Sequence, residues 1–380
     1  MFTLRQYLLA LLDSRGLTRT LGEIDVCRDE QGRPCFSAGN SAAVFRIRLG
    51  GRIRSLRCYL RPMRHLKEIY GQRLLEKELY LHTSPETGVW VDTVLGDWIE
   101  GSTLHETVAQ AAALRDRESL QILVRLFDRL ALALVTDDRA HGDLKPENII
   151  VGDDGTLCPI DFDASYLPAF AGEISPELGT AAYQHPARTA ADFDERIDDY
   201  PAALISTALH ALAEDPTLWD RYGSSDGLLY TPQRIASDPA YRETLALFEK
   251  RGMAVQYRIA QLLTAPTLRL FGLAELLAEA VREFPWPSCA PCPQILLVSP
   301  PSLTDAATCG LLAEFDARSV ELSKQLADAY AGVTELEGCD FLDAGKVANV
   351  GDFDGVHLDA DGHHALGLAV ATKLQEMAVR

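Results

Sequence analysis

The stretch His141-Gly-Asp-Leu-Lys-Pro-Glu-Asn148, with Asp161-Phe162-Asp163 after it, decides how this chain is read. One short, turn-rich loop fixes a carboxylate (Asp143), a cation (Lys145) and an amide (Asn148). The apolar run Ile149-Ile150-Val151 then predicts a short strand, and a second carboxylate, Asp161, follows at the end of a hairpin. Phosphoryl transfer from a nucleotide needs such a set. One carboxylate orients the acceptor hydroxyl, a cation sits near the γ-phosphate, and two oxygen ligands hold magnesium. The bland alternative is a polar surface turn with a proline in it.

The combination resembles the catalytic core of the eukaryotic-like Ser/Thr protein kinases. On that resemblance Asp143 accepts the hydrogen bond of the substrate hydroxyl. Lys145 steadies the γ-phosphate and favours a hydroxyl acceptor over tyrosine, and Asn148 and Asp161 are the Mg2+ ligands. Three flanking segments keep the family's order. Gly179-Thr-Ala-Ala-Tyr183-Gln-His-Pro186 resembles the end of an activation segment, with Ala187 where a glutamate is usual. Asp198, followed by Tyr200, resembles the buried aspartate that braces the catalytic loop. Asp97-Trp-Ile-Glu-Gly-Ser-Thr-Leu104 resembles the hinge that receives adenine.

The expected small lobe departs from the pattern. Aligned on Val44, the three glycine places of the phosphate loop hold Ser37, Gly39 and Ala42. Ser55-Leu56-Arg57 puts arginine where the strand lysine belongs, and a planar fork is no simple substitute for an ammonium. Its helical glutamate partner is expected to be Glu76, with Glu78 as rival. Where the family has Asp-Phe-Gly, this chain has Asp161-Phe162-Asp163, with Asp163 in the place of the glycine. The resemblance implies an ATP- and Mg2+-dependent Ser/Thr-type kinase acting on an unidentified protein substrate. Its cofactor-binding residues are Gly39, Val44, Arg57, Glu76, Asn148 and Asp161, and its catalytic residues Asp143 and Lys145. A nucleotide-binding pseudokinase is the alternative, motivated by the degenerate loop and by Arg57.

The 380 residues carry a net charge of −19, which argues against a nucleic-acid partner. No apolar run approaches a membrane span, and the opening Met1-to-Gly16 segment lacks a small-residue cleavage site. Its leucines at 4, 8, 11 and 12 fit an amphipathic helix. The eight cysteines are scattered, as expected of reduced thiols in a cytoplasmic protein. Cys289-Ala-Pro-Cys292 lacks the further ligands of a zinc site.

Alternation from Arg33 to Leu60 predicts strands, and apolar spacing predicts helices over 65–81 and 118–135. The fold class expected is α+β: a bilobal kinase-like fold followed by a partial α/β segment. The expected divisions are an N-terminal helical extension (1–30), small lobe (31–100), large lobe (101–284), proline-rich linker (285–293) and C-terminal module (294–380). Prolines at 285, 287, 291 and 293 make the linker stiff. Beyond it, strands are expected at 295–298 and 339–342, and helices over 311–330 and 362–377.

Val298-Ser-Pro-Pro301 and Asp354-Gly-Val-His357 make this module similar to the last third of SGNH (GDSL-type) hydrolases. The resemblance implies a general base, His357, oriented by Asp354. The serine-bearing and oxyanion-hole blocks are not found upstream. Esterase activity is therefore the second alternative, and a relic pair the expectation.

Overall fold

Thr3 opens the first helix with a capping box: its hydroxyl accepts from the Gln6 amide (3.3 Å), and the Gln6 side chain accepts from the Thr3 amide (2.9 Å). This helix, α1 (Leu4–Leu12), buries Tyr7, Ala10 and Leu11 and leaves Leu12 exposed. The computed structural model describes every residue except Pro85, Asp153, 284–295, 309–314, Gly338, 352–353 and 379–380. The expected linker, with Cys289 and Cys292, thus lies outside the described residues. The chain divides into two units, Met1–Pro287 and Ser288–Arg380, and both mix helix with sheet.

The first unit begins with an antiparallel sheet. Its strands are β1 (Asp25–Val26), β2 (Phe36–Ala38), β3 (Ala42–Leu49), β4 (Arg52–Tyr59), β5 (Leu74–His82) and β6 (Gly88–Asp97). The order is β1-β3-β4-β6-β5, and β2 shares the edge of β3 with β1. Alternation puts Ala43, Phe45, Ile47, Leu56, Cys58, Leu79 and Leu81 on one face, in a core closed by Tyr7, Ala10 and Leu11 of α1. The expected N-terminal extension therefore packs into the core of this sheet. The other face carries Val44 opposite Arg57.

The helix expected over 65–81 does not form. Only α2 (Leu66–Tyr70) is helical, and it stops at Gly71, whose φ is +53°. From Leu74 the chain runs as β5 against β6, with an irregularity between Leu75 and Leu79. Leu, Glu and Lys favour helix. Burial of Leu79 and Leu81, with ladder pairing to β6 on both sides of that irregularity, overrides that preference.

Helices follow. The strand β7 (Gly101–Thr103) leads into α3 (Leu104–Leu114), capped by the Thr103/Glu106 box. Helix α4 (Arg117–Thr136) buries Leu120, Leu123, Val124, Phe127, Ala131 and Val135 on one stripe. After the short hairpin β8 (Ile149–Gly152) and β9 (Leu157–Pro159) comes α5 (Asp199–Glu214), buried at every residue but Glu214. α4 packs on α5, and their buried contact includes Asp128, which accepts from the Ser206 hydroxyl (2.6 Å) and pairs with His210 (2.8 Å). The remaining helices are α6 (Leu218–Tyr222), α7 (Pro239–Arg251), α8 (Ala254–Leu262) and α9 (Leu273–Glu283). Among the described residues no helix is long and apolar enough to cross a membrane.

In the second unit β10 (Leu296–Ser299) and β11 (Asp340–Asp343) pair in parallel. Helices α10 (Ala317–Ser323) and α11 (Leu326–Glu337) lie between them in sequence, and α12 (Ala360–Ala378) follows. A parallel pair bridged by helix is the expected α/β arrangement. The single helix expected over 311–330 is instead two, and 311–314 lie outside the described residues.

Candidate functional site

The loop between α4 and β8 is held from several sides. The amides of His141 and Gly142 both donate to the buried Asp198 carboxylate, the second at 3.0 Å. Burial pushes the Asp198 carboxyl up, opposed by His141 and by those amides. Arg188 donates to the Gly142 carbonyl (3.1 Å), and the His141 ring meets the Ile160 carbonyl (2.7 Å). Gly142 has φ +82°, and a Cβ there would stand 2.0 Å from the Ala164 carbonyl oxygen. Only glycine fits that position.

Braced in this way, the loop presents Asp143. Its Oδ1 accepts from the Thr180 amide (2.5 Å), and its Oδ2 lies 3.2 Å from Asn148 Nδ2 and 3.3 Å from Lys145 Nζ. Lys145 also donates to the Thr180 hydroxyl (2.8 Å). Asn148 gives a further bond to the Asp143 carbonyl (2.9 Å), so its amide nitrogen is occupied and its oxygen is left as an acceptor. The Ile160 amide donates to the Asn148 carbonyl (2.8 Å), which brings the β9 end, and Asp161 next along the chain, beside the loop. Asp143, Lys145, Asn148 and Thr180 therefore form one hydrogen-bonded group.

Asp161 has φ +68°, a left-handed conformation that Asp tolerates better than most residues. Its carboxylate pairs with Arg57, whose side chain is only 13% exposed. Arg57 also reaches Asp163 Oδ2 through Nε (3.0 Å) and a terminal nitrogen (2.8 Å). The other Asp163 oxygen accepts from Tyr59 (3.1 Å) and Tyr70 (2.6 Å). Burial works against the Arg57 charge, but Asp161 and its neighbours outweigh it, and the net pKa is raised. Burial raises the pKa of both tyrosines, which keeps them as donors.

The Glu76–Arg57 pair expected from sequence does not form. Glu76 lies on β5 and faces solvent, 3.4 Å from Lys67. Its rival Glu78 is buried, but it accepts the amides of Arg19, Thr20 and Leu21 at 2.8–3.1 Å. The helix that was to carry the glutamate is absent, and Asp163 partners the strand cation instead. Gly39 lies in the exposed loop between β2 and β3, its amide bonded to the Ala42 carbonyl (2.9 Å). A Cβ at Gly39 would meet nothing closer than 4.0 Å, so that turn does not require glycine.

Sequence reasoning passed over Tyr59, Tyr70 and Arg188. Tyr59 had a signal: two residues beyond Arg57 on a strand, it must share the face of Arg57. It also missed the contacts of the segment after Asp163 with the residues after β4: Arg61–Glu177 (2.5 Å) and His65–Glu173 (2.9 Å). Glu177 is half-buried and its pKa is raised by burial, with Arg61 opposing.

In the second unit His357 Nδ1 lies 2.7 Å from Asp354 Oδ2, and the His357 side chain is 82% exposed. The His357 and Val356 amides and the imidazole hold the Asp354 carboxyl down to about 2. Ser299 is fully buried, with its hydroxyl 3.4 Å from Asp343.

No family model matches the chain. A stretch of 172 residues, 43% of the chain, is 28% identical to CBL-interacting protein kinase 17 of Oryza sativa subsp. japonica and covers 35% of that protein. A stretch of 113 residues, 28% of the chain, is 34% identical to serine/threonine-protein kinase PknL of Mycobacterium tuberculosis and covers 27% of it. Part of this chain is similar to Ser/Thr protein kinases. It spans about a third or less of the length of these curated relatives. Among solved structures, a carbohydrate acetylesterase family member from Sinorhizobium meliloti is 37% identical over 28% of this chain and 51% of that one. Its TM-score is 0.23.

Proposed function

We propose that the Met1–Pro287 unit is a bilobal Ser/Thr-type protein kinase that moves the γ-phosphoryl group of ATP to a protein hydroxyl. The observation that carries this reading is the single group formed by Asp143, Lys145, Asn148 and Thr180 on a loop pinned by Asp198. Asp143 orients the acceptor hydroxyl and takes its hydrogen bond. Lys145, held between Asp143 and Thr180, offsets charge on the transferring group. Arg57 serves the α- and β-phosphates, and Asp97–Leu104 receives adenine.

Asn148 and Asp161 would hold Mg2+. Both offer hard oxygen donors, and the Asn148 amide is already turned so that its oxygen is free for a cation. Among the described residues no group of three or more His, Cys, Asp or Glu side chains could hold a metal ion. Phosphate oxygens and water would supply the other ligands, as is usual for Mg2+ at nucleotides. The ion neutralises phosphate charge when bound. A thermal-shift titration with ATP and Mg2+ tests the site, because a ligand that binds only the folded state must raise the midpoint. Wild type should shift and Asp161→Ala should not. Equal shifts would remove Asp161 from the site.

A second reading, a nucleotide-binding scaffold without transfer activity, is favoured by one observation. Arg57 already neutralises Asp161, the carboxylate assigned to the metal. The two readings part at the transfer step. For the second unit we propose a structural role for the Asp354–His357 pair. Among the described residues no serine hydroxyl bonds His357, and Ser299 turns to Asp343.

A further inference from the structure

We propose that Cys27 and Cys35 form a dithiol that a peroxide oxidises to an intramolecular disulfide. The site does not rest on the kinase reading. It arises where the edge strand of the sheet is interrupted. β1 and β2 run along the same side of β3, and residues 28–34 leave it between them as a hairpin.

The hairpin sets Cys27 directly opposite Cys35. Its ladder continues through the Arg28↔Pro34 bridge and the Asp29 amide on the Arg33 carbonyl (2.9 Å). At its base the Cys35 amide donates to the Cys27 carbonyl (2.8 Å). Arg46 of β3 closes the junction: its carbonyl accepts from Cys27 (2.9 Å) and its amide donates to Cys35 (3.0 Å). Opposed residues of an antiparallel ladder have Cα atoms about 4.5–5.5 Å apart. A disulfide spans about 4.4–6.8 Å.

Both thiols also share a face. Val26 pairs with Ile47 and Phe36 with Phe45, the core-facing residues of β3. One residue further in, Cys27 and Cys35 project with Arg46 on the opposite face. The turn that holds them is tight. The Asp29 carboxylate accepts from the amides of Gln31 (3.0 Å) and Arg33 (2.8 Å), and Gly32 takes φ +78°. Both cysteines are partly exposed residues near the sheet edge, open to a small oxidant. Cys58, by contrast, is fully buried, and burial raises its thiol pKa.

The chemistry balances with hydrogen peroxide as oxidant. One thiol reduces the peroxide O–O bond, becoming a sulfenic acid and releasing water. The second thiol attacks that sulfur, an S–S bond forms, and the hydroxyl leaves as a second water.

The test treats the full chain with hydrogen peroxide, alkylates free thiols and digests with trypsin, which cuts after Arg28 between the two cysteines. Peptides 20–28 and 29–46 should remain joined, separate on reduction and together lack two hydrogen atoms before it. In Cys35→Ser the sulfenic acid has no resolving thiol, so dimedone should label Cys27 at least about tenfold more than in wild type. Two separately alkylated peptides after peroxide treatment would overturn the proposal. So would a link from either cysteine to another chain, or equal dimedone labelling in wild type and Cys35→Ser.

Discussion

Arg57 sends Nε and a terminal nitrogen to a single oxygen of Asp163, at 3.0 and 2.8 Å, while Tyr59 and Tyr70 hold the other oxygen. A partner that kinases usually take from a helix is here supplied by the residue two places after Asp161. Removing one side of a buried pair leaves an uncompensated charge, at a cost of about 3–5 kcal/mol. Asp161 remains beside Arg57, so Asp163→Ala should lose about 3 kcal/mol in urea unfolding. Glycine at 163 should be no better. Unchanged stability in Asp163→Gly would mean the pairing is incidental.

The same geometry fixes the direction of Arg57→Lys. A guanidinium reaches Asp161 and Asp163 together, whereas an ammonium is a single point on a flexible stem. Lysine is the usual kinase residue, yet here it should lower the rate of phosphate transfer by about tenfold or more. A faster Arg57→Lys enzyme would show that arginine is a defect at this position.

Gly142→Ala should be among the most damaging single changes. Its Cβ would clash with the Ala164 carbonyl, and its φ is unfavourable to any L side chain. We expect a loss of about 3 kcal/mol or more in chemical denaturation, with loss of nucleotide-dependent activity. The neighbouring loop residue Asp143 can be replaced by Ala as a comparison, and that change should be far milder for stability.

Asp199 gives a pH dependence. Burial pushes its carboxyl up to about 6 from 3.8, and among the described residues only the Leu270 amide (3.2 Å) donates to that carboxylate. The folded state therefore binds more protons than the unfolded state between pH about 4 and 6, and stability falls as pH rises through that window. Asp199→Asn removes this decline. Relative to wild type, the variant should gain about 2–3 kcal/mol from pH 4 to pH 7 in urea melts. A pH-independent difference would contradict the assignment.

Much of the grouping around the 141–148 loop was legible because its geometry is local: Asp143, Lys145 and Asn148 lie within one turn-rich segment and bond one another, and Asp198 braces that loop. Strands β2 to β4 and helix α4 were legible from their periodicity. The segment 65–81 was not, because Leu, Glu and Lys give a helical reading that pairing with β6 overrides. The error carried over to the site. With no helix there, Glu76 had nowhere to meet Arg57, and the true partner Asp163 lies 106 residues along the chain. No local pattern reports so distant a pair. Cys27 and Cys35 looked scattered in sequence, and only the hairpin register sets them opposite each other.

The most direct measurement is incubation of the protein with γ-labelled ATP and Mg2+, followed by analysis of labelled serine and threonine. Wild type should carry label on a hydroxyl amino acid. Asp143→Ala should lose about a hundredfold or more of it while still binding nucleotide. Equal labelling of the two proteins, or none in wild type despite tight nucleotide binding, would contradict the kinase reading and leave the scaffold.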